Sequence, residues 1–220
     1  MRRIPGVAAV MAAVLAGVVS LEALGAVAAG EVVNLTGRVV AASLEGDMRA
    51  LATGTAVNTG DTVVTAHNSL VRIKFVDGAY VILRPNTRFQ VEDYSFSEQA
   101  GDNRSVMRLL KGGLRTVTGL ISRRNQGGYR MQTSISTIGI RGTDYELVTC
   151  AQGDCGEGVA DGDYVGVKDG EIDVGTEGGT NPFAKGEFGY IADQTSAPED
   201  VPFERAGILF SDPLPDAACD

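Results

Sequence analysis

From Glu31 to about Ile191 the chain runs in short stretches of alternating apolar and polar residues, broken every few positions by Gly, Asp or Asn. Period-two alternation is the mark of a half-buried strand; an amphipathic helix would repeat its apolar positions every three to four residues. EVVNLTGRVVAA opens the series, and MRALATGTAVNTGDTVVTA follows, with turns at Gly54 and Gly60-Asp61. The clearest unit is NSLVRIKFVDGAYVILRPNT, where Val71, Ile73 and Phe75 alternate before Asp77-Gly78 and Ala79, Val81 and Leu83 after it. Asp-Gly between two such runs predicts a hairpin with a two-residue turn, because the turn needs positive φ and glycine supplies it at no steric cost. TRFQVEDYSF continues the grammar up to a polar break at residues 97–103, SEQAGDN. Beyond it, SVMRLLKGGLRTVTGLI and GYRMQTSISTIGIRGTDYELVTC are joined by the loop SRRNQGG. DYVGVKDGEIDVGTEGG predicts a further hairpin with Asp169-Gly170 as its turn, and AKGEFGYIAD supplies a last strand pair or edge. The expected fold is all-β: stacked antiparallel hairpins forming a sandwich or a short solenoid-like roll, with few or no helices.

One strand breaks its own rhythm. In TIGIRGTDYEL, Ile138 and Ile140 share a face, but Tyr145 and Leu147 join it only if one residue is skipped. Gly142 is the natural place for the skip, which predicts a β-bulge flanked by Arg141 and Thr143. Two roles suit Arg141: pairing with a carboxylate and backbone carbonyls to hold strand register, or binding an anionic ligand.

The two ends follow other rules. Arg2 and Arg3, the Ala/Val/Leu/Gly run from Ile4 to Val19 and the small residues AVAAG at 26–30 read as a signal peptide over residues 1–29, cut near Ala28 or Ala29. A retained anchor is the competing reading, since the uncharged run from Ile4 to Leu21 reaches the lower length limit for a span. Four of the seven prolines fall beyond Thr195, so residues 195–220 are expected to form an extended tail and residues 30–194 the domain. Export agrees with the cysteines. Cys150 and Cys155, five apart across a Gly-Asp turn, are expected to pair as a disulfide in an oxidising compartment, with Cys219 left over. A metal pair would need further Cys or His ligands, and His67 is the only histidine.

Charge narrows the partners. Twenty-eight acidic against 19 basic residues leave a net charge of −9, which argues against a nucleic-acid binder. The distribution is uneven: residues 103–143 contain no acid and eight bases, namely Arg104, Arg108, Lys111, Arg115, Arg123, Arg124, Arg130 and Arg141. Either these strands lie beside acidic ones such as VEDY and KDGEIDV, or they build an anion-attracting face centred on Arg123 and Arg124 with Arg130 beside them.

Several of these pieces form a series that resembles the FecR-type domain. They are Gly60-Asp61 followed by Thr65, the Asp77-Gly78 hairpin, Leu110, Gly113 and Leu114 in LLKGGL, and Arg141-Gly142-Thr143, within residues 37–150. The resemblance implies an all-β extracytoplasmic domain; its best-known members relay signals from an outer-membrane receptor to a sigma factor. Here only two arginines precede the apolar run, so no sigma factor is expected as a partner, and the chain looks like the exported, stand-alone version.

Enzymatic chemistry has little footing. A lone histidine provides no base for the usual triads, and the Asp-rich stretch at 153–163, GDCGEGVADGD, lacks the ordered ligand spacing of a calcium loop. No metal or cofactor is expected. Trp is absent and aromatics make up 6% of the chain, against the aromatic girdles of a membrane barrel. The reading is therefore a non-enzymatic binding or sensing module of the bacterial envelope, periplasmic or secreted, with an envelope protein or an anionic glycan or lipid headgroup as partner. Its rival is a structural or assembly factor of an envelope or secretion complex.

Overall fold

A computed structural model describes residues 27–99 and 101–210. The signal peptide expected at the N-terminus lies, up to residue 26, outside the described residues. In chain order the strands are β1 (Ala28–Thr36), β2 (Val39–Ala42), β3 (Met48–Ala50), β4 (Ala56–Asn58), β5 (Thr62–Thr65), β6 (Leu70–Phe75), β7 (Tyr80–Leu83), β8 (Arg88–Ser95) and β9 (Arg104–Val117). A short helix α1 (Leu120–Arg124) leads to β10 (Tyr129–Gln132), β11 (Thr137–Ile140), β12 (Asp144–Cys150), β13 (Gly162–Asp169), β14 (Glu171–Thr176), β15 (Gly179–Ala184), β16 (Phe188–Ile191), β17 (Glu199–Asp200) and α2 (Phe203–Ala206). The all-β expectation holds. Among the described residues no helix is long and apolar enough to cross a membrane.

The strands form two layers that share one strand. The first sheet runs β4-β1-β6-β7-β9-β12-β13-β16-β17. The second runs β3-β2-β5-β8-β9-β10-β11-β14-β15. β9 belongs to both, passing from the second to the first where Gly112 takes a φ of 85°. β9 and β10 run parallel, joined through α1; the other pairs described here are antiparallel. Alternation along the strands sends one set of side chains between the layers. Ile73, Val81, Leu83, Leu114, Tyr145, Leu147 and Val165 come from the first sheet, and Val63, Phe89, Met107, Met131, Ile138, Ile172 and Phe183 from the second.

At each short crossing between the sheets one residue has positive φ: Gly37, Gly54, Gly60, Asn68, Asn86, Gly112, Gly142, Gly170 and Gly186. This accounts for two departures from the sequence reading. Asp77-Gly78 does close the β6–β7 hairpin, although its loop is three residues long, with Phe75 N–H donating to Ala79 O at 2.8 Å. Asp169-Gly170 does not close a hairpin, because β13 pairs with β12 and β16 in the first sheet while β14 pairs with β11 and β15 in the second. Likewise Arg141-Gly142-Thr143 is a corner from β11 in the second sheet to β12 in the first, in place of a bulge within one strand. The skipped residue was real, but it changes layers as well as face.

The two corners touch. A Cβ on Gly170 would sit 2.5 Å from Gly142 O, and the Gly170 φ is 80°. Gly170→Ala is expected to cost about 2 kcal/mol or more, combining left-handed strain with a backbone clash. Gly186→Ala, at φ 88° with open space around the site, should cost only the backbone part, about 1 kcal/mol. Paired urea titrations of the two variants check the difference.

Within the segment expected to form the tail, residues 195–210 are described. β17 pairs with β16, and Val201 and Ala206 are buried. With Tyr164, Tyr190 and Val148 they form a second apolar cluster on the outer face of the first sheet. Phe188 meets Phe203 edge-on at 5.5 Å, and Arg205 lies 4.4 Å over the Tyr190 ring. At the other end, the expected cleavage zone falls inside β1: Ala29 is fully buried and its carbonyl accepts Val76 N–H at 3.0 Å.

Candidate functional site

The motif residues are bound into the fold. Asp61 is buried, its carboxylate held bidentately by the Arg49 guanidinium from β3 while it accepts Asn58 N–H at 2.7 Å. Gly60 N–H donates to Val91 O at 2.7 Å, which ties this turn to β8. Thr65 Oγ1 donates to Arg84 O at 2.6 Å and accepts Thr87 N–H at 2.9 Å, so it joins two neighbouring corners. Leu114 is in the core and Gly113 packs under Arg84 and Val148, whereas Leu110 lies on the outer face of β9. In the Arg-Gly-Thr corner the buried member is Thr143. Its N–H donates to Thr118 Oγ1 at 2.8 Å and its own Oγ1 donates to Glu171 O at 2.9 Å. Arg141 is 57% exposed and lies 3.5 Å from Glu171 and 3.8 Å from Asp173, a loose surface pairing.

Asp77 does far more than turn a hairpin. Its carboxylate is buried and accepts Tyr94 O–H at 2.5 Å, Ala79 N–H at 3.0 Å and, 44 residues away, Ile121 N–H at 3.1 Å. Its carbonyl accepts Leu120 N–H at 3.0 Å, so two of the orphan donors at the start of α1 are met by one residue of the β6–β7 loop. Burial, and then the Asp77 charge, push the Tyr94 hydroxyl far up, and it remains a donor.

A second buried carboxylate lies in β13. Asp163 accepts Thr133 O–H at 2.5 Å, Ser136 O–H at 2.7 Å and Thr149 O–H at 2.9 Å. It thereby ties the β10–β11 turn of the second sheet to the first. Beside this turn lies an open cleft of about 370 Å³ bordered by Ser134, Thr137, Thr176, Glu177 and Gln194. The Asp-rich loop before it does not converge. Asp161 accepts Gln152 and Gly153 N–H at 2.9 and 3.0 Å, Asp154 pairs with Lys111, and Asp163 points inward. Among the described residues no group of acidic, His or Cys side chains could hold a metal ion. The expected disulfide is formed, joining Cys150 at the end of β12 to Cys155.

The acid-free segment divides by position. Arg104 pairs with Asp93 at 3.1 Å, Arg108 with Glu92 at 2.9 Å, Lys111 with Asp154 at 3.3 Å, Arg115 with Asp144 at 2.7 Å and Arg141 with Glu171. Of these five acids, Glu92, Asp93 and Glu171 come from VEDY and KDGEIDV and Asp144 from the adjoining strand β12, so compensation between adjacent strands explains most of the charge. Arg123, Arg124 and Arg130 are exposed and have no carboxylate partner among the described residues. Arg124 donates to Glu98 O at 3.2 Å, and Asn125 Nδ2 donates to Asn103 O at 3.3 Å, which fixes the end of α1 at the start of β9. Arg130 stands on the outer face of β10 opposite Val106, between the rows of Arg104 and Arg108. The three arginines therefore border the same end of the second sheet, the first two on α1 and the third on a strand.

Across this architecture a family model described as FecR protein matches residues 61–173, just over half of the chain. The chain belongs to the FecR family. The match shares residues 61–150 with the 37–150 span that the motifs suggested, starts later and runs on to residue 173, and it takes in both the Arg-Gly-Thr corner and the Gly170 corner against it. Two crystal structures of a candidate anti-sigma factor from Parabacteroides distasonis are similar to this FecR protein, at 13% and 12% identity and a TM-score of 0.48. Each alignment covers 64% of this chain and 58% of the other, so the chain spans a little over half the length of those proteins. A structure described as a cell surface anchoring domain aligns with 28% of this chain and 80% of its own, at 34% identity and a TM-score of 0.27. No curated protein matches the sequence.

Proposed function

We propose that this FecR protein is a non-enzymatic recognition module of the bacterial envelope, acting outside the cytoplasm. Its partner is anionic, an acidic envelope protein or an anionic glycan or lipid headgroup, engaged by Arg123, Arg124 and Arg130. The observation that carries the reading is the division of the acid-free segment. Its other bases are paired to carboxylates on neighbouring strands and loops, while these three stand exposed at one end of the second sheet. The Cys150–Cys155 disulfide supports an oxidising compartment.

The mechanism is surface recognition on a rigid frame. Asp77 holds the start of α1 and Asn125 its end, so Arg123 and Arg124 are presented from a fixed element. Unpaired cations on a rigid edge attract anions over roughly a Debye length, about 8 Å at physiological salt. Binding to acidic polysaccharide and to anionic vesicles is expected to weaken by at least about tenfold in R123S/R124S/R130S, and to lose most of its salt dependence. Unchanged affinity and an unchanged salt slope would overturn the assignment.

A further inference from the structure

β11 and β14 pair as far as Thr137 and Gly175 and then part, leaving a cleft at this end of the second sheet. The β10–β11 turn, with Ser134 and Ile135, forms one side of it; Thr176, Glu177 and Gln194 form the other. Ile138 and Val174 are core, so Thr137 and Gly175 beside them face outward into the cleft. Its volume of about 370 Å³ lies near the lower end of the roughly 300–1,000 Å³ typical of small-molecule sites.

Both sides are held before any ligand arrives. Asp163 fixes Thr133 and Ser136 behind the first, and Thr133 Oγ1 also accepts Ile135 and Ser136 N–H at 3.1 and 2.9 Å. On the second, Glu177 N–H donates to Gln194 O at 2.9 Å and Gln194 Nε2 donates to Glu177 Oε1 at 2.8 Å. Thr176 Oγ1 donates to Ser196 O at 2.8 Å. Polar groups fixed in this way lose little entropy on binding.

The groups left over define the chemistry. Glu177 keeps one carboxylate oxygen, Gln194 its carbonyl oxygen and one N–H, and Ser134 and Thr137 their hydroxyls, none with a partner among the described residues. The lining holds no base, and its one carboxylate disfavours an anion. Asp193, next to Gln194, is turned to Thr195 and Ser196. An acceptor and a donor side by side match neighbouring hydroxyls, each of which gives one hydrogen bond and takes another. Half-buried Ile135 supplies an apolar surface for the C–H face of a sugar ring. Gly175 leaves the space between the two sides open, although its backbone does not require glycine.

We propose that this cleft binds a neutral mono- or disaccharide, with Glu177 and Gln194 reading adjacent hydroxyls and Ser134 and Thr137 completing the contacts. The site is separate from the arginine end of the same sheet and takes a ligand of different charge.

The test is an NMR titration of the isotope-labelled full chain with cellobiose, maltose and di-N-acetylchitobiose. At least one is expected to give saturable amide shifts at Ser134, Thr137, Glu177 and Gln194, with a roughly millimolar Kd. Glu177→Ala should weaken binding at least about fivefold. Gly175→Val should abolish it by filling the cleft; the added Cβ would meet only the Thr180 hydroxyl, at 3.2 Å, and then Thr137 O at 3.9 Å. Glu177 is exposed and valine suits a strand, so core amides such as those of Leu114 and Val165 should keep their positions in both variants. R123S/R124S/R130S should bind the disaccharide as wild type does, and a diglucuronate should instead shift amides around Arg124 and Arg130, so the two sites fail or succeed separately. No saturable shift at the cleft with any of the three sugars, or binding left unchanged by E177A or by G175V, would overturn the proposal.

Discussion

Asp77→Ala is expected to cost the fold about 4 kcal/mol, more than loss of a hairpin turn residue would suggest. The truncation leaves Tyr94 O–H, Ala79 N–H and Ile121 N–H without the acceptor they share, all within a buried site. Each buried donor left unmet costs about 1–3 kcal/mol, partly relieved where water can enter. Asp77→Asn keeps the volume and one oxygen but turns an amide N–H₂ toward one of the donors, so an intermediate loss of about 2 kcal/mol is expected. Because Asp77 also holds the start of α1, D77N should speed tryptic cleavage after Arg123 and Arg124 at denaturant concentrations where the rest of the chain is folded. A D77A midpoint close to wild type, or unchanged cleavage in D77N, would show that α1 is anchored by other contacts.

How much of this was legible depends on the range of each interaction. Alternation identified Val71, Ile73, Phe75, Val81 and Leu83 as core, because a strand's facing pattern is a local property. It could not tell which sheet a strand joins. Asp77-Gly78 and Asp169-Gly170 are the same dipeptide between similar runs, yet one closes a hairpin and the other turns a corner between layers. Positive φ at Gly78 and Gly170 serves both geometries, so only the partners of the flanking strands separate them. The turn signal also hid the second role of Asp77, since Gly78 already explained the motif and Ile121 is 44 residues away. Arg141 illustrates the converse. It drew notice as a charge in an apolar run, but the buried work of that corner falls to Thr143. The candidate site was half legible: the absence of acids marked the segment, and the fold then separated Arg123, Arg124 and Arg130 from bases that face Glu92, Asp93, Asp144 and Asp154 on neighbouring elements.

Asp163 carries the other large expected effect, and one whose size and pH dependence change with the substitution. Asp163→Ala should cost about 3 kcal/mol, because the hydroxyls of Thr133, Ser136 and Thr149 lose their common acceptor in a buried site. Asp163→Asn keeps an acceptor oxygen, and its amide can donate to a hydroxyl that has reversed, so most of the network survives. Burial raises the Asp163 carboxyl above its ordinary value near 3.8, with the three hydroxyls pulling the other way and only partly offsetting it. The folded protein therefore holds this proton more tightly than the unfolded chain does. Stability contributed by the group is fully present below the ordinary value, falls as pH rises from there to the raised value, and is level above it. Asp163→Asn removes that slope. Urea unfolding of both proteins from pH 3.5 to 8 should show wild type losing ground relative to D163N through this window and then running parallel to it. If wild type instead gained on D163N as pH rose, the three hydroxyls would outweigh burial and Asp163 would be a stabilised anion at the joint between the two sheets.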